Sequence, residues 1–296
     1  MGMVLPVVCA LFAALSNALA TVLQQRAALT VPQSSGFRPG LILDLMRRPV
    51  WVAGILAVIA AGVGQAVALA TGPLSLVQPL FVLELPLALL IASLLVRQRL
   101  GAASWAAVAS VVAGLGLALV AASPAGNRTH VPVDRWVPAL VLCAAAVAAL
   151  ALAGLRRPPG RARAGCLGAA TAICYALTAG LMKSSMHILD EGGLGAFLTT
   201  WQTYAFGATG VCALLLLEHA MQGGPLVASQ PALTLGDAGV SLLLGVLLYE
   251  EHVRAGWWLA PQLLGVALVA AGVFALARAG AGAGAGAGSE AGAAGS

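Results

Sequence analysis

A chain of 296 residues that is 60% hydrophobic and only 8% charged, with a mean hydropathy of +0.97, is excluded from the soluble globular class, where about a quarter of residues carry charge. Its apolar residues come in blocks of about 20 without charge, the length an α-helix needs to cross a hydrocarbon core. The net charge of +5 is spread between these blocks, which fits membrane orientation and argues against nucleic-acid binding.

Span 1 runs from Met3 to about Leu23. No Lys or Arg precedes it, so a signal peptide is the weaker reading. Residues 27–49 hold Pro32, Pro39, Asp44 and Arg47-Arg48, with Leu41, Ile42, Leu45 and Met46 on one side of a short helix. That pattern fits either a helix in the cytoplasmic headgroup layer or an ordinary amphipathic loop. Span 2, Val50 to Ala70, carries Gln65, and span 3 covers Leu74 to Val96. Span 4 covers Ala103 to Ala122 and span 5 Trp136 to Gly154, followed by a basic hinge with Arg156, Arg157, Arg161 and Arg163. Span 6 runs from Gly165 to Lys183, span 7 from Ala196 to Leu217, span 8 from Leu226 to Leu248 and span 9 from Gly256 to Ala277. The Gly/Ala tail, residues 278–296, is too poor in bulky side chains to pack and reads as disordered.

The five cysteines form no CxxC pair and read as small buried hydrophobes. His130, His187, His219 and His252 all fall outside these spans, and no nucleophile and base share a span, so neither a resident cofactor nor an enzyme activity is expected. On alternate sides of nine spans, one side collects eleven Lys and Arg residues and the other four. The positive-inside rule then places the N-terminus outside and the C-terminus in the cytoplasm of a cell-membrane protein.

The run Gly72-Pro73-Leu74-Ser75-Leu76-Val77-Gln78-Pro79 returns as Gly224-Pro225-Leu226-Val227-Ala228-Ser229-Gln230-Pro231. A constant shift of 152 residues also carries Trp105 onto Trp257. The fold class expected is an all-α polytopic membrane protein of about nine transmembrane helices in two inverted-topology repeats, 4+1+4. The first repeat is residues 1–122. Residues 123–164 hold a loop, an unpaired fifth span and the hinge, and residues 165–277 form the second repeat. Inversion lets a carrier exchange the side to which a central site opens.

With Arg47-Arg48-Pro49-Val50-Trp51-Val52-Ala53-Gly54 and Ala70-Thr71-Gly72-Pro73-Leu74-Ser75-Leu76-Val77-Gln78-Pro79-Leu80, the chain resembles the drug/metabolite transporter (EamA-like) superfamily, nearest its NIPA-type branch. That resemblance implies inverted repeats, a proline-bearing helix followed by an acidic turn in each, and a link to magnesium transport. The turn after span 8 has Glu250 and Glu251, whereas the turn after span 3 reads Arg97-Gln98-Arg99.

Glu84 and Asp237 are the two acids near the middle of a span. An ionised acid there costs about 3 kcal/mol and persists where it meets a wet cavity or a partner. In register the two fall at similar depth. Gln230, Thr234, Asp237 and Ser241 lie at i, i+4, i+7 and i+11, on one helix face. Similar stripes are Asn17, Thr21 and Gln24 on span 1; Thr171, Tyr175 and Thr178 on span 6; and Thr199, Gln202 and Thr203 on span 7. With Gln65 and Gln78 these are the expected substrate- or ion-binding residues, and a carried cation would meet Glu84 and Asp237. Pro79, Pro86 and Pro231 are expected to kink their helices.

Lys183 reads as snorkelling at the end of span 6, Glu250 and Glu251 as solvated loop charge, and Trp136 and Trp257-Trp258 as interfacial anchors. The expectation is an alternating-access carrier of a divalent cation such as Mg²⁺ or of a small organic metabolite exchanged for protons. A membrane module that binds a partner through Gly114 and Gly116 is the competing reading, and a homodimer is left open. The bilayer is the expected surrounding.

Overall fold

The computed structural model describes residues 3–29, 49–96, 100–126 and 131–293. The expected headgroup-layer helix and the Arg97-Gln98-Arg99 turn fall on residues 30–48 and 97–99, outside the described residues. Among the described residues nine helical segments are long and apolar enough to cross a membrane. No strand forms there beyond a single isolated bridge.

In chain order the helices are α1 (Val4–Leu29), α2 (Pro49–Thr71), α3 (Leu74–Leu80), α4 (Glu84–Val96), α5 (Ala102–Ala122), α6 (Val133–Leu155), α7 (Arg161–Thr199), α8 (Trp201–Gly223), α9 (Leu226–Leu247) and α10 (Leu259–Ala293). The third span is α3 and α4 joined by the 3₁₀ turn Phe81–Leu83. Pro86 cannot donate to the carbonyl four residues back, Val82, so the α-helical ladder is interrupted at this turn and Glu84 opens the next helix. Pro231 stands inside an uninterrupted α9, so that proline does not break its span.

Helix α7 departs most from expectation. It does not stop at Lys183 but winds on to a kink at Gly193 and ends at Thr199. Ser184 to Glu191 contains no Gly or Pro, so nothing in the backbone ends the helix there. The break comes at Gly193, whose φ of 69° suits glycine. Thr199 therefore closes α7 while Gln202 and Thr203 lie in the first turn of α8, and the three do not share one helix face. His187 and His219 likewise lie inside α7 and α8, not outside the helices. Helix α10 continues through the Gly/Ala tail to Ala293 where disorder was expected.

Helix α1 packs on α2 and α7 on α8; α3 and α4 lie against α1 while α9 lies against α7; α5 packs on α10, and α3 on α9. The faces that meet are small. Ala10, Ala13, Ala14 and Ala18 of α1 are fully buried. A Cβ on Gly114 would stand 2.7 Å from the Gly265 carbonyl oxygen, and one on Gly265 2.6 Å from the Gly114 oxygen, so these backbones touch only because both residues are glycine. Large apolar side chains such as Val141, Leu142, Val211, Leu214 and Leu263 point outward, as a lipid-facing surface requires.

Connections between helices gather by parity. Ala125, after α5, exchanges backbone hydrogen bonds of 2.9 and 2.7 Å with His252, after α9, and Arg135 pairs with Glu250 beside them. Gly160, after α6, donates at 2.8 Å to Gly223, at the end of α8. Successive crossings of one layer produce this grouping.

Candidate functional site

Two polar groups are built where α1, α3, α4, α7 and α9 meet. The first surrounds the mid-span acids. Because the 3₁₀ turn ends at Leu83, Glu84 sits at the start of α4 and reaches α1. Asn17 donates through Nδ2 to Glu84 Oε2 at 2.8 Å, and the Thr21 hydroxyl is 3.5 Å from Oε1. Ser241 donates to Asp237 Oδ1 at 3.3 Å, one turn away on α9. Tyr175 of α7 lies within electrostatic reach of both carboxylates, and the carboxylates lie within reach of each other. Among the described residues neither acid is ion-paired; their hydrogen-bond partners are neutral. Each mid-span acid thus has neutral donors, Glu84 of span 3 from Asn17 and Thr21 on span 1, and Asp237 from Ser241 on its own span 8.

The other expected site residues contribute unevenly. Gln78 is buried in α3, whereas Gln65, Gln230 and Thr234 are half-buried and, with it, make no side-chain hydrogen bond among the described residues. Gln202 is bound to Thr200 at the start of α8. Thr171 and Thr178 donate to carbonyls of their own helix, and Thr178 also meets Thr209 of α8 at 3.0 Å, so Thr178 joins two helices. Among the described residues no group of three or more His, Cys, Asp and Glu side chains could hold a metal ion.

The second group was not anticipated. Lys183 and Glu251 form an ion pair at 2.8 Å, with both side chains 0% exposed. Lys183 is no snorkelling residue, because α7 continues past it and the turn after α9 folds over it. Glu251 is no solvated loop acid. Its two oxygens accept the backbone N–H groups of Leu74 at 2.6 Å and Ser75 at 2.8 Å, the first donors of α3. A carboxylate on two unsatisfied helix-start donors is a favourable arrangement for a buried charge. Gly245 makes room for it, since a Cβ there would collide with the Glu251 carboxylate.

The Lys183 ammonium also lies 4.7 Å from the centre of the Tyr249 ring, whose hydroxyl donates to the Gly180 carbonyl at 2.6 Å and lies 2.8 Å from the Ser184 hydroxyl. Trp136 packs edge-on against Tyr249 and Trp201 with centroids 6.4 and 5.9 Å apart, and is 1% exposed. It is a core residue, not an interfacial anchor. Trp257, 96% exposed, keeps the surface position expected of an anchor.

These features define a multi-pass helical membrane protein with charged groups buried inside its bundle. A protein of Corynebacterium glutamicum described as uncharacterized is 29% identical over 272 residues, which cover 90% of this chain and 91% of that protein. No family model and no solved structure matches the chain.

Proposed function

We propose that the chain is a secondary transporter of the drug/metabolite transporter type that moves a small solute across the cell membrane by alternating access. The observation that carries this reading is that Glu84 and Asp237, 153 positions apart in the sequence (237 − 84), lie within electrostatic reach of each other and of Tyr175, with neither acid ion-paired among the described residues. Two acids are costly inside a bilayer unless something they bind offsets that cost. The helix contacts support two inverted repeats: α1 with α2 answers α7 with α8, α4 on α1 answers α9 on α7, and α5 with α10 and α3 with α9 lie across the axis between them. The basic residues assign the N-terminus to the outside and the C-terminus to the cytoplasm.

Mg²⁺ is the substrate candidate that two carboxylates and nearby amides fit, because that ion keeps several waters and takes one or two carboxylates. A polar organic metabolite exchanged for protons is the second candidate, favoured by the neutral donors Asn17 and Tyr175 beside the acids. The partner-binding alternative loses support at Gly114, whose face is occupied by Gly265 of the same chain. Uptake into proteoliposomes of divalent cations and a metabolite panel, with a pH-sensitive dye inside, tests the proposal. Solute-dependent flux that falls in Glu84→Gln and Asp237→Asn is the expected result, and absence of any flux or proton movement from the wild-type protein overturns it.

A further inference from the structure

The two Gly-Pro entrances are built from one sequence pattern but are closed very differently. At the first, residues 72–78 are buried without exception, including Ser75 and Gln78. At the second, Ser229 is buried, but residues 224, 227, 228 and 230 are half-buried and Pro225 is exposed. The first owes its closure to the turn after α9, which places Glu251 on the opening N–H groups of α3 and Lys183 against Glu251. Among the described residues no side chain accepts from the first donors of α9. In the 152-residue register that carries Ser75 onto Val227, the residue aligned with Glu251 is Arg99, whose side chain has no acceptor for an N–H.

We infer that Lys183 and Glu251, with Tyr249 beneath the ammonium, form a one-sided bolt that seals the first Gly-Pro entrance, so that the resting protein is closed to the outside and the central acids are reached from the cytoplasmic side. This rests on the transporter reading and supplies its gating residues. The bolt ties three elements by groups that must all part for that entrance to open: α7 through Lys183, the α9 turn through Glu251 and α3 through the N–H groups of Leu74 and Ser75. It differs from an ordinary buried ion pair because one partner is a capping group on a short half-helix. That half-helix, α3, leads through the 3₁₀ turn to Glu84, so movement of the entrance and of the central acid share one segment.

The test introduces Ser75→Cys into a chain whose five native cysteines are replaced, and measures reaction of the new thiol with a membrane-impermeant methanethiosulfonate from each face of sealed vesicles. That thiol is expected to be protected from the outer face, and Lys183→Met with Glu251→Gln to accelerate its labelling from that face alone by about tenfold or more. Tyr249→Phe keeps the ring under Lys183 but removes the hydroxyl contacts to Gly180 and Ser184. It is expected to give a smaller acceleration, about threefold, and serves if the double variant does not fold. Unchanged labelling in folded variants, or equal acceleration from both faces, overturns the bolt. Flux measured on the same vesicles separates the two ideas: transport with unchanged labelling removes the bolt and keeps the carrier, whereas outer-face acceleration without transport of any solute keeps the seal and removes the carrier.

Discussion

Glu251 and Leu74 stand 177 positions apart and are joined by a 2.6 Å hydrogen bond from the Leu74 N–H, while Lys183 neutralises the same carboxylate from a third helix. Removing one member of a fully buried pair leaves an uncompensated charge, at a cost of about 3–5 kcal/mol. Lys183→Met alone is therefore expected to lower stability by that order, measured by denaturant titration in detergent. Glu251→Gln added to it removes the orphaned charge, and the Gln carbonyl still accepts one of the two N–H groups. The double variant is expected to be more stable than Lys183→Met. If the two single losses simply add, the pair is not coupled as the geometry requires.

At the central acids, Asn17 donates to one oxygen of Glu84. Leaving a buried polar group without its hydrogen-bond partner costs about 1–3 kcal/mol, which sets the scale for its loss. Asn17→Leu is expected to reduce transport about tenfold or more, measured as initial rate in proteoliposomes, while Asn17→Asp, which places a second acid against Glu84, is expected to abolish it. Thr178→Val removes only a helix-joining hydroxyl and is expected to leave the rate within about threefold. Equal effects from Asn17→Leu and Thr178→Val would show that Asn17 is a packing residue and nothing more.

Glycine packing supplies a third test. Gly114 and Gly116 are two residues apart on α5, but Gly114 meets the Gly265 backbone whereas Gly116 has nothing within 4 Å of its Cβ position. Gly114→Leu is expected to force α5 and α10 apart and cost more than about 2 kcal/mol, while Gly116→Leu stays within about 0.5 kcal/mol. Melting of the two purified variants, followed by circular dichroism, reads the difference. A destabilised Gly116→Leu accompanied by a change in oligomeric mass would point to a partner copy on that face.

Most of the architecture was legible because membrane crossing needs only length and apolarity, and both are local. The spans and the break beside Pro86 could be read without knowing any neighbour. Lys183 and Glu251 could not, since each looks like a surface residue in its own window and their relation spans 68 positions. One signal was present. The eight residues after Lys183 hold no helix breaker, so the helix had to carry that lysine inward from its end. Trp136 was misplaced for a similar reason: an aromatic residue near a span start looks like an anchor until Tyr249 and Trp201 are known to cover it. The Thr199–Gln202 stripe failed because two adjacent helices, broken at Thr200, were counted as one.

Gly245 provides the last prediction. It lies on α9 where its missing side chain leaves room for the Glu251 carboxylate, and its own carbonyl accepts the Glu251 N–H at 3.0 Å. A methyl group placed there would push the acid away from Leu74 and Ser75 without altering any charge. Gly245→Ala also gains helix propensity, about 1 kcal/mol in the opposite direction at an unhindered site. The sign of the net effect therefore decides whether the carboxylate is held rigidly. If it is, Gly245→Ala lowers stability despite the better helix former, by about 1–3 kcal/mol for strain and weakened hydrogen bonds. Exposed Gly239 on the same helix, substituted the same way, is expected to show the propensity gain alone. Denaturant titration of both variants side by side makes the comparison. A stabilised Gly245→Ala would mean that Glu251 moves aside at little cost, and that its hold on the start of α3 is loose.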